Sequence, residues 1–487
     1  MAQGHRRTLD SGPRSDMRPT TRDVFVRGLG LWDATAIVAG SMIGSGIFIV
    51  SADIARQVGA PGWLLVVWGI SAVMTIIGAL SYGELAAMMP HAGGQYVYLR
   101  EAYGPLAGFL FGWTLFLVIQ TGTIAAVSVA FAKFTAVLLP AFDASLHIGP
   151  LPVSAQQCLA IAVIGILTAA NCNGLQTGRW VQNIFTATKV GALGALVIFG
   201  LLFGRNAAAI RANVANFWGM PPLSLALLPL IGAAMVGALF SSDAWNNITF
   251  AAAEVREPAR TVPLSLTIGT SVVSVLYLAA NVVYLAALPL AGTASATTAM
   301  GRGIQFAASD RVATAAIGVT LGDAGAIVMA VAIMISTFGC VNGLILAGAR
   351  VYYAMAQDGL FFPLAGVLNT RRVPAAALVL QGIWAALLTL SGTYGDLLDY
   401  VIFAALLFYV LTVGALFVLR RMQPDVPRPY RAIGFPIVPA AYIGLAALIM
   451  LDLLIIKPRY SWPGLLIVSS GVPVFYWWRS RGSAAHG

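Results

Sequence analysis

Apolar residues run in long stretches through nearly the whole chain, and the polar connectors between them are short. A helix that crosses a bilayer needs about 20 predominantly apolar residues. Alternation with a period of two is absent, and a helix satisfies its own backbone hydrogen bonds in lipid. The pattern therefore predicts an all-α integral membrane fold with twelve transmembrane helices. Their predicted limits are 31–55, 62–88, 105–138, 153–172, 179–204, 226–253, 262–288, 324–354, 374–391, 397–419, 434–456 and 462–478.

The composition supports a membrane location. The chain has 487 residues, of which 59% are hydrophobic and 9% charged, with a mean hydropathy of +0.85. Soluble domains contain about 25% charged residues. The net charge of +10 could suggest a nucleic-acid partner. The basic residues, however, lie in connectors and a tail without interleaved aromatic residues, so they favour orientation in a lipid bilayer over binding to nucleic acid.

The distribution of Lys and Arg predicts the orientation. Nineteen of the 28 lie on the side of the N-terminal tail, seven lie on the opposite side, and Lys133 and Lys189 fall within spans. By the positive-inside rule, both termini are expected in the cytoplasm. Residues 1–29 lack an apolar run and are predicted to be a cytoplasmic tail rather than a cleaved signal. Residues 479–487 form a second predicted tail, and we expect the plasma membrane, specifically a bacterial inner membrane.

Small and polar residues interrupt two of the spans. The first span contains "IVAGSMIGSGIF" at 37–48, and the sixth contains "LFSSDAWNNITF" at 239–250. Backbone groups freed by a break in hydrocarbon must be met by protein, water or a ligand, and polar side chains at that depth usually mark a pathway or a site. Interruptions at matching positions of two five-helix halves are typical of an inverted repeat with discontinuous helices.

The first motif has two interpretations. Gly40 and Gly44 form a GxxxG pair, and small residues at this spacing let helices pack closely without any ligand. The adjoining "GSG" at 44–46 places three small residues in a row. A packing stripe needs small residues only at every fourth position, so the row favours local unwinding of the helix.

Several longer motifs resemble the amino acid–polyamine–organocation (APC) superfamily of transporters, and most closely its L-type amino acid transporter branch. The matching segments are "GSMIGSGIF" at 40–48, "ALSYGELAAMMPHAGGQYVYLREAYGPLAGFLFGW" at 79–113, "VQNIFTATKVGAL" at 181–193, "WNNITFAAAEVREPARTVPLSL" at 245–266 and "STFGCVNGLILAGARVYYAMAQDGLFFP" at 336–363. The resemblance runs in order from about residue 25 to residue 480. It implies a permease that moves amino acids by alternating access.

The resemblance also implies the domain organisation. The expected fold is of the LeuT type, with a 5+5 inverted repeat whose helices 1 and 6 are discontinuous. The first repeat covers 30–204, the second covers 226–420, and helices 11 and 12 cover 434–478.

An interrupted helix can bind a zwitterion. The first amides of a restarting helix lack partners and carry a partial positive charge, so they can bind a carboxylate. Carbonyls at the end of the preceding half-helix can face an ammonium group. The predicted donors are the amides of Gly44, Ser45 and Gly46. By resemblance, the predicted acceptors are the carbonyls of Met42, Phe240 and Asp243. A ligand with one charged end would leave buried groups unpaired at roughly 1–3 kcal/mol each, so an amino acid is favoured.

Side chains near the second interruption have candidate roles by resemblance. Phe240 is a candidate gate, with packing as the alternative. Trp245 and Asn246 are expected to shape the substrate side-chain pocket, although Trp245 could equally serve packing. Asp243 either meets a cationic substrate side chain or has a structural role, in which it caps a half-helix or bonds with the neighbouring Ser241 and Ser242.

Ala244 occupies a position that is commonly glycine in the family. Its methyl group is expected to narrow the pocket.

Lys189 lies about ten residues inside the fifth span, too deep to snorkel to an interface. By resemblance, it fills the place of sodium between helices one and eight, where Ser336 and Thr337 would otherwise supply sodium ligands. We therefore expect sodium-independent transport, either as an exchanger or as a proton-coupled symporter. The alternative is a purely structural cation.

A group of charged residues at the expected cytoplasmic ends of the spans is predicted to form a network that serves gating or folding. Its members are Glu84, Arg100, Glu254, Arg256 and Arg260.

Other functions have less support. The four histidines lie in tails or connectors, and no metal, Walker or dinucleotide motif appears, so neither an enzyme nor a cofactor is expected. An amino-acid-binding sensor and a channel remain alternatives. Animal members of the branch pair with a glycoprotein through a cysteine between helices three and four. Residues 139–152 contain no cysteine, and Cys158, Cys172 and Cys340 lie in apolar stretches, so no disulfide-linked subunit is expected.

Overall fold

A computed structural model describes residues 27–143, 153–219, 227–391 and 394–484. Most of the predicted N-terminal tail, residues 144–152 of the third connector and the end of the C-terminal tail lie outside these ranges. Within them, the regular secondary structure is helical, and extended backbone is limited to one isolated bridge between Leu29 and Val255. The prediction of an all-α fold is confirmed for the described residues.

The α-helices follow the predicted apolar stretches. They are α1 Leu31–Met42, α2 Gly46–Ile49, α3 Ser51–Val58, α4 Pro61–Met88, α5 Gln95–Tyr103, α6 Pro105–Thr114, α7 Gln120–Leu138, α8 Ala155–Cys172, α9 Leu175–Phe203, α10 Ala207–Ala215, α11 Leu227–Ser241, α12 Asn247–Phe250, α13 Pro258–Ala287, α14 Ala299–Arg302, α15 Val312–Gln357, α16 Ala375–Leu388, α17 Tyr394–Met422, α18 Ile437–Ile456 and α19 Pro458–Ala484. A π-helical turn, Leu115–Ile119, joins α6 to α7.

Nine helical segments of the described chain are long and apolar enough to cross a membrane. Two of them join neighbouring elements, Leu31–Ile49 and Pro105–Leu138. The shorter apolar helices α11 and α16, together with α19, lie in the three remaining predicted stretches. Each of the twelve predicted stretches therefore contains helix.

The eighth stretch extends further than its predicted limits of 324–354. Helix α15 begins at Val312, and a break at Gly322 divides it. Gly322 has φ 68° and ψ −162°, a conformation that only glycine adopts readily. Asp323 follows directly, and the predicted stretch begins just after it at residue 324, although the chain is helical on both sides of the break.

The two interrupted helices form the centre of the molecule. All residues in 38–52 and in 232–250 are buried. A helix that is apolar and buried on all sides belongs to the core of a bundle rather than to its surface. Helices α4, α9, α13 and α15 surround this centre.

Buried ion pairs tie the N-terminal end of α1 and the end of α4 to later helices. Glu254 pairs with Arg350 at 3.1 Å, and both side chains are about 95% buried or more. The backbone carbonyl of Glu254 also accepts the amides of Gly28 and Leu29, at 2.9 and 3.0 Å. The chain that enters the first span is therefore attached to the end of the sixth.

Glu84 is fully buried at the end of α4 and accepts four hydrogen bonds or ion-pair contacts. Its two carboxylate oxygens lie 2.9 and 2.7 Å from Nε and Nη2 of Arg420, and 3.4 Å separates the carboxylate from Arg428. The Ala432 amide donates at 2.7 Å.

The predicted single network of charges is wrong. Arg100 pairs with Asp358 and Glu101, so the three groups built on Glu84, Arg100 and Glu254 are separate from each other. No ion pair among the described residues includes Arg256 or Arg260. Apart from the adjacent Arg100 and Glu101, the partners are far apart in sequence, so the sequence alone does not show which charges meet.

Replacement of Glu254 by alanine would leave the Arg350 guanidinium buried without a counter-charge. We expect E254A to lower the free energy of unfolding by about 3–5 kcal/mol. Thermal unfolding of the detergent-solubilised protein measures the effect. The matched control is E101Q, because Glu101 forms an ion pair whose two side chains are 29% and 41% exposed, and such pairs contribute about 0–1 kcal/mol. Equal shifts for both variants would contradict the importance of the buried pair.

Candidate functional site

The first span is interrupted where the glycine-rich motif predicts it. Helix α1 ends at Met42, Ile43 has the non-helical angles φ −74° and ψ 84°, and α2 begins at Gly46. The amide of Gly44 turns back to the carbonyl of Met42 at 2.8 Å. Among the described residues, the Ser45 and Gly46 amides donate no hydrogen bond.

Lys189 and Ser336 satisfy carbonyls that the break releases. The Lys189 Nζ atom lies 2.5 Å from the carbonyl oxygen of Gly40 and 3.2 Å from that of Ile43. The Ser336 hydroxyl donates to the same Ile43 carbonyl at 3.1 Å. Helices α9 and α15 are thereby joined to the end of α1 through one peptide group.

Tyr277 connects the two interruptions. Its hydroxyl lies 2.9 Å from the carbonyl of Met42 and 3.1 Å from that of Ser241, the last residues of α1 and α11. One hydroxyl proton can serve only one of these carbonyls at a time. The Cys340 thiol lies 3.2 Å from the carbonyl of Ser41. Each carbonyl from residue 40 to residue 43 therefore has a donor from another helix.

The second interruption runs from the end of α11 at Ser241 to the start of α12 at Asn247. Ala244 has a positive φ of 63°, a left-handed conformation that side chains disfavour. The amide of Asp243 donates to the carbonyl of Phe240 at 3.2 Å. The side chain of Asn246 donates to Gln95 at 2.9 Å.

Asp243 binds a residue far along the chain. Its carboxylate accepts a hydrogen bond from the Tyr409 hydroxyl. The predicted local partners have other contacts, since the Ser241 hydroxyl donates to the Gly237 carbonyl at 2.8 Å and the Ser242 hydroxyl accepts from Ser71 at 3.2 Å. Asp243 is also not the residue that caps α12, because Asn246 holds that position. Both local structural alternatives for Asp243 are therefore wrong.

Aromatic rings line the second interruption. Trp245 stacks on Tyr409 with 5.4 Å between the ring centroids, and it contacts the Tyr82 ring edge-on at 4.8 Å. Gly78 on α4 lies against Trp245, where an added Cβ would come within 3.0 Å of the indole. The indole is therefore held in one place by two tyrosines and a glycine.

The two interruptions touch at Gly46. A Cβ atom at Gly46 would lie 2.1 Å from the hydroxyl and 2.8 Å from the Cα atom of Ser241. Real Cβ contacts of this length do not occur, so close packing requires glycine here. At Gly44 the nearest atom is the Cys340 Sγ atom at 3.1 Å, which is a milder restriction.

Cavities lie on both sides of the interruptions. A charged cavity of about 860 Å³, here called the vestibule, is lined by Val50, Asp53, Lys133, Tyr394, Asp399 and Lys457 among others. Tyr394 bonds to the Ser45 hydroxyl at 2.9 Å, and Phe240 contacts the Tyr394 ring edge-on at 6.1 Å. On the other side, beside Asp243 and Asn246, a cavity of about 20 Å³ remains. The interruptions are closed from both sides.

The structure brings most of the predicted site residues together, and all of them are buried. Those at or beside the two breaks are Met42, Gly44, Ser45, Gly46, Phe240, Asp243, Trp245 and Asn246, and those beside the first break on other helices are Lys189 and Ser336. Thr337 is the exception, because its hydroxyl donates to Ile333 and Met334 of its own helix at 2.9 and 3.0 Å.

Three tyrosines of the site were missed. They are Tyr277, Tyr394 and Tyr409. Each is a tyrosine within or beside an apolar span. A buried tyrosine hydroxyl usually needs a hydrogen-bond partner, and this requirement could have singled these residues out.

Comparison with known proteins identifies the family. Residues 29–475 match the model of the family described as amino acid permease. The chain belongs to the amino acid permease family. The human b(0,+)-type amino acid transporter 1 is 29% identical over 441 residues, which cover 89% of this chain and 84% of that protein.

Two further relatives support the resemblance to the L-type branch. The human large neutral amino acids transporter small subunit 2 is 30% identical over 457 residues, covering 92% of this permease and 79% of the relative. Its mouse counterpart is 28% identical over 494 residues, covering 98% and 86%. The predicted membership of the APC superfamily, close to the L-type branch, is confirmed, and the permease is a multi-pass membrane protein.

Replacement of Ala244 by glycine should relieve backbone strain. A side chain in the left-handed conformation costs roughly 1–2 kcal/mol, and the greater flexibility of unfolded glycine offsets about 0.5–1 kcal/mol of the gain. We expect A244G to raise the free energy of unfolding by up to about 1 kcal/mol. The control A234G, in helical α11, should lower it by about 1 kcal/mol. Thermal unfolding in detergent compares the two, and a lower melting temperature for A244G would contradict the strain.

Proposed function

We propose that this permease moves amino acids across the membrane by alternating access around the two helix interruptions, without sodium, as an exchanger or a proton-coupled symporter. The observation that carries the proposal is the meeting of two interrupted helices at the buried centre of the molecule. Tyr277 reaches the last carbonyl of each half-helix there.

The proposed architecture is the LeuT-type fold with twelve transmembrane helices. Its repeats would cover 30–204 and 226–420, and 434–478 would supply the last two helices. Interruptions in the first and sixth helices support this organisation, since inverted repeats place discontinuous helices at corresponding positions. From the excess of Lys and Arg in the loops on the N-terminal side, we further propose that both termini are cytoplasmic. We also propose the plasma membrane, specifically a bacterial inner membrane, as the location.

The proposed substrate is an α-amino acid held by its two charged groups. The Ser45 and Gly46 amides, which have no acceptor among the described residues, support a carboxylate site. For the ammonium group we propose the carbonyls of Met42, Phe240 and Asp243. The Met42 carbonyl already accepts the Tyr277 hydroxyl, which can turn to Ser241 instead when an ammonium group arrives.

The walls of the site support an apolar substrate side chain with polar contacts at one part of the pocket. Phe240, Trp245 and the Tyr409 ring are buried and supply apolar surface. Asp243 and Asn246 supply the polar groups, and we propose that they bound the side-chain pocket. The named relatives, a transporter for large neutral amino acids and a b(0,+)-type amino acid transporter, are consistent with this class.

Lys189 supports independence from sodium. Its ammonium group binds two carbonyls at the first interruption, and Ser336 shares one of them. A sodium ion at this position would meet a fixed positive charge at close range, which opposes its binding. We retain Lys189 and Ser336 as the proposed coupling residues. Thr337, whose hydroxyl bonds within its own helix, has no contact that supports such a role.

We propose that the permease works without a disulfide-linked subunit. The relatives named above include a protein described as a small subunit. In this chain Cys158, Cys172 and Cys340 are all free thiols, and the connector at 139–152 contains no cysteine. The proposal concerns covalent linkage alone.

Counterflow in proteoliposomes tests the proposed function. Vesicles loaded with a mixture of unlabelled amino acids should take up labelled amino acid several-fold faster than empty vesicles, or uptake should follow an imposed proton gradient. Replacement of sodium by choline should leave the rate unchanged. Uptake that is equal in loaded and empty vesicles without a proton gradient would reject both coupling modes, and uptake that requires sodium would reject the role of Lys189.

The variant G44A separates substrate binding from helix packing. An added methyl group at residue 44 meets mainly the Cys340 thiol at 3.1 Å, so the double variant G44A/C340A removes the steric conflict. If the substrate touches this backbone, G44A should reduce counterflow at least about tenfold, and C340A should restore stability without restoring transport. C340A alone is the control. Recovery of transport in the double variant would show that Gly44 serves packing only.

A further inference from the structure

Gln95 joins the second interruption to helix α17. It is the first residue of α5, and it is 1% exposed. Its Oε1 atom accepts a hydrogen bond from the Nδ2 atom of Asn246 at 2.9 Å, and its Nε2 atom donates to the Thr412 hydroxyl of α17 at 3.0 Å. One side chain of α5 therefore bonds both to a residue of the proposed side-chain pocket and to α17.

The Thr412 hydroxyl fixes the direction of these bonds. It donates its proton to the carbonyl of Phe408, one turn earlier in α17, at 2.7 Å, as helical threonines often do. The hydroxyl oxygen is therefore an acceptor, so Gln95 must present Nε2 to Thr412 and Oε1 to Asn246. Since Gln95 offers an acceptor to Asn246, the Asn246 amide must donate with its Nδ2 atom.

This order of donors and acceptors leaves the Oδ1 atom of Asn246 for another donor. Asn246 directly precedes α12, where an asparagine side chain usually accepts from the first amides of the helix. Its side chain forms no such cap, and no described residue donates to its Oδ1 atom. Asn246 lines the cavity of about 20 Å³ beside Asp243, which has room for roughly one water-sized group. The oxygen is available to a small donor in this cavity.

Most other polar side chains that line this cavity also have their donors bonded. Gln120 donates with Nε2 to a backbone carbonyl of α15 at 2.7 Å, and the Thr123 hydroxyl donates to a carbonyl one turn earlier at 2.6 Å. The Asp243 carboxylate is an acceptor, and the Tyr409 hydroxyl donates to it. The Nδ2 atom of Asn247 has no partner among the described residues, but the atom is fully buried. The cavity therefore presents mainly acceptors.

We propose that Gln95 is a positioning residue that holds the Asn246 amide with its oxygen toward the pocket, so that the pocket favours substrate side chains with a hydrogen-bond donor at the tip. A site built to bond a donor discriminates against the apolar isostere, because the buried acceptor is then left unpaired. The inference rests on the proposed function, and it adds the direction of hydrogen bonding in the side-chain pocket.

Competition in the counterflow assay measures this preference with pairs of amino acids of nearly equal shape. The pairs are L-threonine with L-valine, L-asparagine with L-leucine, and L-glutamine with L-methionine. In each pair, the inhibition constant of the apolar member is divided by that of the member with the donor. In Q95M, Asn246 loses the acceptor that orients it. We expect this ratio to fall about fivefold or more for at least one pair, with little change in the maximal rate for the apolar member.

Conservative variants separate the orientation of Asn246 from packing. Q95E should retain the ratio, because glutamate presents an acceptor to Asn246 in either protonation state. T412V removes the oxygen that fixes the Gln95 amide and should lower the ratio, whereas T412S should retain it. The matched control is Q381M. Gln381 is also fully buried and donates to a backbone carbonyl at 3.0 Å, but it lies outside the lining of the cavity.

Several results would overturn the inference. An unchanged ratio in Q95M would show that Gln95 does not orient Asn246, and if Q95M does not fold, an unchanged ratio in T412V would show the same. An equal fall in Q381M or Q95E would attribute the loss to disturbed packing. A further fall in Q95M/N246A beyond N246A alone would show that Gln95 acts independently of Asn246. A wild type that moves none of the twenty amino acids would instead contradict the proposed function.

Discussion

The structure depends on how the peptide groups at the first helix interruption are satisfied. A backbone carbonyl without a partner in a low-dielectric centre costs several kcal/mol. Here the four carbonyls from residue 40 to residue 43 receive donors from three other helices, through Lys189, Tyr277, Ser336 and Cys340. In this conformation, the arrangement of α9, α13 and α15 around α1 supplies the donors that stabilise the break. The same donors that stabilise the unwound segment also fix where a substrate could meet it.

The second interruption is coupled to the first by contact rather than by charge. Gly46 packs directly on Ser241, and the Tyr277 hydroxyl can donate to either half-helix. A movement of α1 relative to α11 must change both contacts together. One proton cannot serve both carbonyls, but the Met42 carbonyl also accepts the Gly44 amide at 2.8 Å, so the Tyr277 hydroxyl can turn to Ser241 without leaving Met42 unpaired.

The sequence was sufficient to predict the features whose residues are unusual within an apolar stretch. Glycines, serines and Asp243 in hydrocarbon predicted both interruptions, and the deep lysine at residue 189 predicted a buried cation. Tyr277 and Tyr409 were missed because one aromatic residue in a span is indistinguishable from ordinary packing until its hydroxyl partner is known. The role of Thr337 stays a prediction, since its hydroxyl bonds within its own helix and the sequence does not show how that helix is rotated. The ion pairs join residues up to 344 positions apart, such as Glu84 with Arg428, so nearness in sequence could not reveal them.

The polar contacts on the two sides of the interruptions differ chemically, yet on each side hydration can compensate for contacts that break when the side opens. On the vestibule side, Tyr394 and Ser45 share a hydrogen bond whose net contribution is about 0.5–1.5 kcal/mol, because hydration replaces it on opening. On the other side, beyond α12, the buried pair of Glu254 with Arg350 joins the end of the sixth stretch to α15, and it is costly to truncate. Separating them into water is cheaper, since hydration of both charges offsets much of the lost Coulomb energy. A carrier needs states that differ by only a few kcal/mol. Closures made of polar contacts meet that requirement, whereas a continuous apolar seal on one side would bias the permease toward a single conformation.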